Sequence, residues 1–249
     1  MGCGKQVSGN VGALPILQVR VGRKFLDMYD LRRYIPFAMA LTARTVVRLS
    51  PFLIIAVNLA LAYLFGAWIG KWAFVPMILV GWALWLFFIL RYGGMNGIRQ
   101  WLQRPVPKKR WVVLCFLVGL LPLPLFLGYY DTLTEWHVWL PWIALALVNP
   151  WIEEFYWRGL LLDYTREWSH WASILYASGL FAANHLAFGV NSVISEGPEP
   201  IVATFIMGIV WSFTYYKTKS LRWAIFSHFL VDLLSLSAPV FLDLFEKGT

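Results

Sequence analysis

Residues 51–70 read PFLIIAVNLALAYLFGAWIG, twenty residues without a single formal charge. The hydrocarbon core of a bilayer takes about 20 apolar residues of helix to cross. The stretch therefore reads as a spanning helix, with Ser50 as its N-cap and Pro51 at the first helical position, where a missing N–H costs nothing. Six further segments of similar character follow, at about 72–90, 111–129, 137–164, 171–188, 200–216 and 221–245. Pro122 and Pro124 predict a kink in the third span, and Pro239 an interruption in the seventh. The expected fold is all-α: a multi-pass transmembrane helical bundle of about seven spanning helices.

Composition points the same way. Hydrophobic residues make up 59% of the chain and charged ones 14%, against roughly 25% charged in a soluble domain. Mean hydropathy is +0.63. Fifteen tryptophans and eleven tyrosines suit the aromatic belts at the two membrane–water boundaries. The formal charge of +8 is not a nucleic-acid footprint, because the basic residues cluster between apolar runs. Arg44 and Arg48 precede the first span; Arg91, Arg99, Arg104, Lys108, Lys109 and Arg110 fill the second–third loop; Lys217, Lys219 and Arg222 fill the sixth–seventh. In the fourth–fifth loop Arg158 and Arg166 stand beside Asp163 and Glu167. The alternate loops hold Lys71 alone, then Asp131 with Glu135, then Glu196 with Glu199. By the positive-inside rule this predicts a cytoplasmic N-terminus and an outside C-terminus.

The expected organisation is a basic cytoplasmic N-terminal region, 1–50, followed by one transmembrane domain, 51–245. Residues 35–49 form either an interfacial amphipathic helix or a cytoplasmic extension of the first span. No cleavable signal peptide is expected in the basic first 34 residues. Met1-Gly2-Cys3 is a poor acylation signal, since Gln6 stands where Ser or Thr is wanted. Cys3 and Cys115 give neither a disulfide framework nor a Cys-based metal site. Internal repeats and low-complexity tracts are absent from the sequence.

Ionisable groups inside spanning helices are expensive and usually face a bundle interior or a cavity. Here they are concentrated between 137 and 245. The fourth span holds Glu153, Glu154 and Arg158, the fifth Asn184 and His185, the seventh His228 and Asp232; the first three contribute little beyond Asn58. Glu154 and Arg158 stand at i,i+4 with the acid N-terminal, the favourable orientation for an ion pair. Glu153 lies about 100° around the helix and has no cation within it, which leaves it the better general base. His228 and Asp232 also share a face, so Asp232 is expected to orient the imidazole. Each group taken alone reads as readily as packing or helix bridging; two adjacent glutamates and two histidines on three neighbouring helices are harder to explain that way.

Glu153-Glu154-x-x-x-Arg158, Phe181-x-x-x-His185 and His228-x-x-x-Asp232, in that order, resemble the three signature motifs of the CPBP (ABI or CAAX-protease-like) intramembrane glutamic proteases. The stretch from Gly208 through Thr218-Lys219-Ser220-Leu221 resembles the family's approach to its last motif, with Lys219 where Gly is common. The resemblance covers about residues 137–235. It implies hydrolysis of a peptide bond in or at the bilayer without a covalent intermediate. Glu153 would activate water with help from His185, and His228 with Asp232 would polarise the scissile carbonyl, with the Glu154–Arg158 pair completing the motif. Eukaryotic CAAX proteases carry Asn at the position of Asp232. An ionised Asp can only accept a hydrogen bond, so Asp232 is expected to orient His228 rather than to donate to an oxyanion. No cofactor or metal is implied. The implied partners are the lipid bilayer and a membrane protein, lipidated peptide or precursor peptide as substrate, with a bacterial plasma membrane as the location.

Two alternatives stay open at this level. Two glutamates and two histidines could ligate zinc in a metal-dependent membrane protease, although the His-Glu-x-x-His spacing is missing. A non-catalytic bacteriocin-immunity or scaffold protein could keep the same helices. A transporter ranks behind both, since no repeated halves are visible. At 1.5 Å per residue, His228 falls about 10 Å into its helix and Glu153 about 15 Å from the cytoplasmic end. This favours a site in the cytoplasmic half or near the midplane, with His185 nearer the outer half.

Overall fold

The computed structural model describes residues 19–21, 24–26 and 28–244, with side chains from Thr42 onward. The acylation reading at Met1-Gly2-Cys3 lies outside the described residues. The chain divides into two compact units, Met1–Arg44 and Thr45–Thr249. In the smaller, Val19–Val21 (β1) pairs antiparallel with Lys24–Leu26 (β2); valines alternating around Arg20 suit a short strand. Every other described element is helical.

Helix α1 runs unbroken from Met28 to Ile69. Residues 35–49 are thus continuous with the first apolar segment, and Ser50 is not an N-cap. The continuity has a local cause. Pro51 cannot donate to the carbonyl of Val47 four residues back. Ser50 Oγ supplies that bond instead, at 2.8 Å, and also pairs with the buried Tyr156 hydroxyl at 2.7 Å. A 3-10 turn at Gly70–Ala73 leads into α2 (Phe74–Phe88), a π-helical turn at Ile89–Gly93 and the short α3 (Gly94–Trp101). The expected third span is two helices, α4 (Lys109–Leu120) and α5 (Leu123–Tyr129), broken at Pro122. Next come α6 (Trp136–Glu154), a π-helical turn at Phe155–Leu160 and α7 (Leu161–Tyr164). Helix α8 (His170–Asn184) is capped by Ser169, whose hydroxyl accepts from Ala172 N at 3.2 Å; it tightens to 3-10 at His185–Val190. The last helices are α9 (Glu199–Thr218), α10 (Arg222–Leu234) and α11 (Ser237–Phe241).

The interruption expected at Pro239 comes earlier, at Leu236, which sits at φ 54°. A proline in a continuing helix would clash with the carbonyl four residues before it. Breaking the chain at Leu236 places Pro239 in the first turn of α11, where it is tolerated.

Among the described residues three stretches are long and apolar enough to cross a membrane: Thr42–Trp101, Lys109–Thr134 and His170–Val190. The first joins two of the expected spans. Helices α6 and α9 fall outside the three, carrying charged and hydroxyl side chains, and α10, at 13 residues, is too short. Helix α10 packs against both α4 and α6, and α8 against α9. Gly208 permits the α8–α9 approach, since a Cβ there would lie 3.0 Å from Ser178 Cβ and from Arg158 Nη2.

The two ends of the larger unit gather different segments. At one end Arg48 Nε donates to Tyr164 O (2.9 Å) and its guanidinium pairs with Glu167, while Tyr164 Oη donates to Tyr92 O (3.1 Å). Trp101 Nε1 donates to Asp163 Oδ2 (2.7 Å), Leu221 N to Trp101 O (2.8 Å) and Val106 N to Thr218 O (2.7 Å). Gly159 opposes the Trp101 ring, where a Cβ would meet it at 2.7 Å. These segments are the basic loops together with the mixed-charge stretch 158–167. At the other end Asn191 Nδ2 donates to Ala62 O (2.7 Å), Lys71 Nζ to Asp243 O (2.9 Å), and Ser192 Oγ and Val193 N to the Asp243 carboxylate (2.7 and 2.9 Å).

Candidate active site

Helix α6 carries Asn149, Glu153 and Glu154, all buried, just ahead of the π-helical turn that contains Arg158. Such turns recur at functional sites because the extra residue re-aims the side chains that follow. Pro150 lies inside the same helix. The Glu154–Arg158 pair forms as the spacing predicts, with Arg158 Nη1 donating to Glu154 Oε1 at 2.9 Å and both side chains fully buried. Aromatic faces hold the rest of the guanidinium, Phe181 at 4.0 Å and Trp211 at 5.1 Å from Cζ.

The structure corrects the expected partner of His228. Asp232 Oδ1 lies 3.7 Å from His228 Nε2, beyond hydrogen-bond length. Glu154 is the group that holds the imidazole, with His228 Nδ1 2.9 Å from the same Oε1 that binds Arg158. A carboxylate paired with arginine accepts, so Nδ1 carries the proton and donates. The reason lies in helix packing: α10 runs beside α6, and the shared interface places His228 over the carboxylate of the neighbouring helix. His228 Nε2 then faces Glu153 Oε2 at 3.6 Å. The ring also stacks on Trp211, with centroids 4.5 Å apart and planes 19° apart. Trp211 is anchored in turn, its Nε1 donating to Ser227 Oγ (2.9 Å), whose hydroxyl donates to Cys115 O (2.6 Å).

Glu153 differs from the other two carboxylates of the site, Glu154 and Asp232. It is buried, and neither of its carboxylate oxygens has a hydrogen-bond partner in the protein. A buried carboxylate normally finds donors, and Glu153 keeps both oxygens uncommitted.

His185 sits at the junction of α8 with the 3-10 turn, where its Nδ1 donates to Phe181 O at 2.9 Å. A carbonyl can only accept, so neutral His185 presents a lone pair at Nε2. The Phe181 ring touches both histidines, with centroids 4.8 Å from His185 and 6.1 Å from His228. His185, His228 and Asp232 line one cavity of about 480 Å³, and Glu153, 3.6 Å from His228 Nε2, is not part of its lining. Among the described residues no group of three or more His, Cys, Asp or Glu side chains is arranged to hold a metal ion.

Sequence reasoning gave Asn149 no role, and it matters. Trp82 Nε1 can only donate, and it does so to Asn149 Oδ1 at 2.9 Å. This fixes the amide so that Nδ2 donates to Asp232 Oδ2 at 3.2 Å. Ser237 Oγ reaches the other oxygen, Oδ1, at 3.2 Å. Asp232 is thereby clamped by α6 and α11 rather than by His228. The spacing could have shown Asn149, because it lies at i,i+4 from Glu153 and so shares its face. Trp211 and Ser237 gave no such signal, as aromatic and hydroxyl side chains are common throughout the chain.

Residues 135–234 match the family model described as type II CAAX prenyl endopeptidase Rce1-like. The similarity is confined to that stretch. The matched segment opens just before α6 and closes at the end of α10, so it contains Glu153, Glu154, Arg158, His185, His228 and Asp232. It coincides with the region whose motifs resemble the CAAX-protease-like family. No curated protein and no solved structure matches the chain.

Proposed function

We propose that the protein is an intramembrane endopeptidase that hydrolyses a peptide bond of a membrane-associated substrate with water activated by Glu153. One observation carries the reading: a buried carboxylate with no hydrogen-bond partner stands 3.6 Å from the Nε2 of a histidine whose other nitrogen is committed to Glu154. The Rce1-like match over the same helices supports it.

In this reading water is held between Glu153 and the Nε2 lone pair of His185. Its oxygen attacks the scissile carbonyl carbon while its proton passes to Glu153. His228, oriented by Glu154 and by the Trp211 face, acts as the imidazolium held among Glu153, Glu154 and Asp232. Its Nδ1–H stays on Glu154 while a second proton, on Nε2, is donated to the carbonyl oxygen as negative charge develops there, a preorganised interaction worth several kcal/mol in comparable sites. Glu153 then returns the proton to the leaving nitrogen as the C–N bond breaks, giving a carboxylic acid and an amine. Asp232, held by Asn149 and Ser237, adds negative charge near the imidazole and supports it without bonding to it. The Glu154–Arg158 pair is the fixed base on which His228 rests.

The membrane arrangement belongs to the same proposal: about seven crossings over 51–245, with the N-terminus cytoplasmic and the basic loops on that side, in a bacterial plasma membrane. The meeting of Arg48, Arg91–Lys109, Arg158–Glu167 and Lys217–Arg222 segments at one end supports that arrangement.

The test is comparison of membrane-protein termini in cells carrying the intact protein and Glu153→Ala. Peptides with new termini should vanish in the variant; products that persist unchanged would sink the reading. His185→Ala should likewise abolish turnover while leaving the detergent-extracted protein folded.

A further inference from the structure

The cavity holding the two histidines has a direction. Beyond the catalytic groups its wall comes from Pro122 and Tyr129 at the α4–α5 end, from Ile194 and Ser195 before α9, and from Ser235 and Val240 around the α10–α11 break. These segments belong to the end that carries Asp131, Glu135, Glu196, Glu199 and Asp243 against Lys71. No residue of 91–110, 158–167 or 217–222, the basic end, contributes to it. There the bundle is closed by Trp101, wedged against Gly159 and bonded to Asp163.

Two further cavities at the same end join the first. A groove of about 590 Å³, apart from Glu199 wholly apolar, lies between Leu121–Pro122 and the first half of α9 and shares Pro122, Ala203 and Met207 with the catalytic cavity. Its outer residues Val202 and Ile206 are 54% and 51% exposed on an apolar helix face, the exposure expected of a surface against lipid. A smaller, polar cavity of about 320 Å³ runs from Tyr63, Glu196 and Ser195 to His185. One passage suits an apolar chain arriving sideways from the bilayer, and the other suits water.

We propose that the site is reached from the extracytoplasmic side, and that its substrate is the apolar segment of a membrane-inserted protein passing laterally between α5 and α9. The proposal rests on the endopeptidase reading and on the positive-inside orientation. The acidic rim complements a basic flank on the outer side of that segment. A tail lipidated in the cytoplasm would arrive at the sealed end, so the substrate class is a transmembrane or membrane-anchored segment cut near its outer boundary.

Two measurements test this on the full chain. In a Cys3→Ser background that keeps the buried Cys115, single cysteines are placed by Ser195→Cys, Ser235→Cys and, as reference, Lys219→Cys. A membrane-impermeant maleimide is added to right-side-out spheroplasts and to inverted vesicles. Ser195→Cys and Ser235→Cys should react only in spheroplasts and Lys219→Cys only in inverted vesicles. Reaction of the cavity cysteines from the cytoplasmic side alone, or from neither side, overturns the proposal whatever the activity. The second variant, Ala203→Trp, narrows the junction between groove and cavity. It should lower the Glu153-dependent products roughly a hundredfold by misplacing the substrate, with labelling at Ser195→Cys preserved as proof of fold. Their new termini should lie beside the outer ends of spans; termini in cytoplasmic tails overturn lateral access from outside. If Glu153→Ala changes no termini at all, the endopeptidase reading fails, while the labelling still decides which side the cavity faces.

Discussion

Two carboxylates ten residues apart on one helical run, the buried Glu153 in α6 and the half-buried Asp163 in α7, are treated in opposite ways. Asp163 has both oxygens engaged, Oδ2 by Trp101 Nε1 at 2.7 Å and Oδ1 by the Tyr215 hydroxyl at 3.3 Å. Glu153 has neither. A buried polar group left without partners costs about 1–3 kcal/mol, and a fold keeps such a cost only where something else is gained. The satisfied carboxylate closes one end of the bundle. The unsatisfied one is the group to which the proposed chemistry assigns the water.

Substitutions at the two sites should therefore separate chemistry from stability. The largest effect is expected at Glu153→Gln, which keeps shape and removes the base: turnover should fall by about 10²–10⁴ with thermal unfolding in detergent unchanged or slightly raised. A variant that keeps its rate would dissolve the contrast. Arg158→Ala comes next. It strands the fully buried Glu154, and breaking such a pair costs about 3–5 kcal/mol, visible as a large drop in melting temperature together with loss of activity, because His228 loses its fixed support. Asp163→Ala leaves Trp101 Nε1 and the Tyr215 hydroxyl unpaired, at about 1–3 kcal/mol. The rate per folded molecule should stay the same; a fall in rate would mean that the seal also shapes the site. Ser50→Ala is the mildest, about 1 kcal/mol, since it frees the Val47 carbonyl that Pro51 cannot satisfy. Its readout is a small downward shift in unfolding temperature with activity intact.

The distribution of legibility follows from range. Charge starvation, helix positions and the Glu154–Arg158 pair depend on residues a few places apart, so they could be read directly. The break in the third span followed from Pro122 for the same reason. What misled the reading was competition between local and distant partners. Ser50 looked like a cap, yet its hydroxyl repairs the proline gap and meets Tyr156 from another helix. Asp232 looked like the orienting partner of His228 because they share a face, yet the interface with α6 put a better acceptor, Glu154, within 2.9 Å. The seventh span breaks at Leu236 rather than Pro239 because a proline acts on the turn before it.

The Trp82–Asn149–Asp232 relay carries a consequence for evolution and engineering alike. Trp82 belongs to α2, outside the 135–234 stretch that matches the family. An indole there dictates which end of an amide meets the acid at the heart of that stretch. Trim away the first half of the chain, or swap it for that of an Rce1-like protein, and Asn149 becomes free to rotate and turn its oxygen towards Asp232. The portable module is thus larger than its recognisable motifs, and drift in the unfamiliar half can retune catalysis without touching a single signature residue.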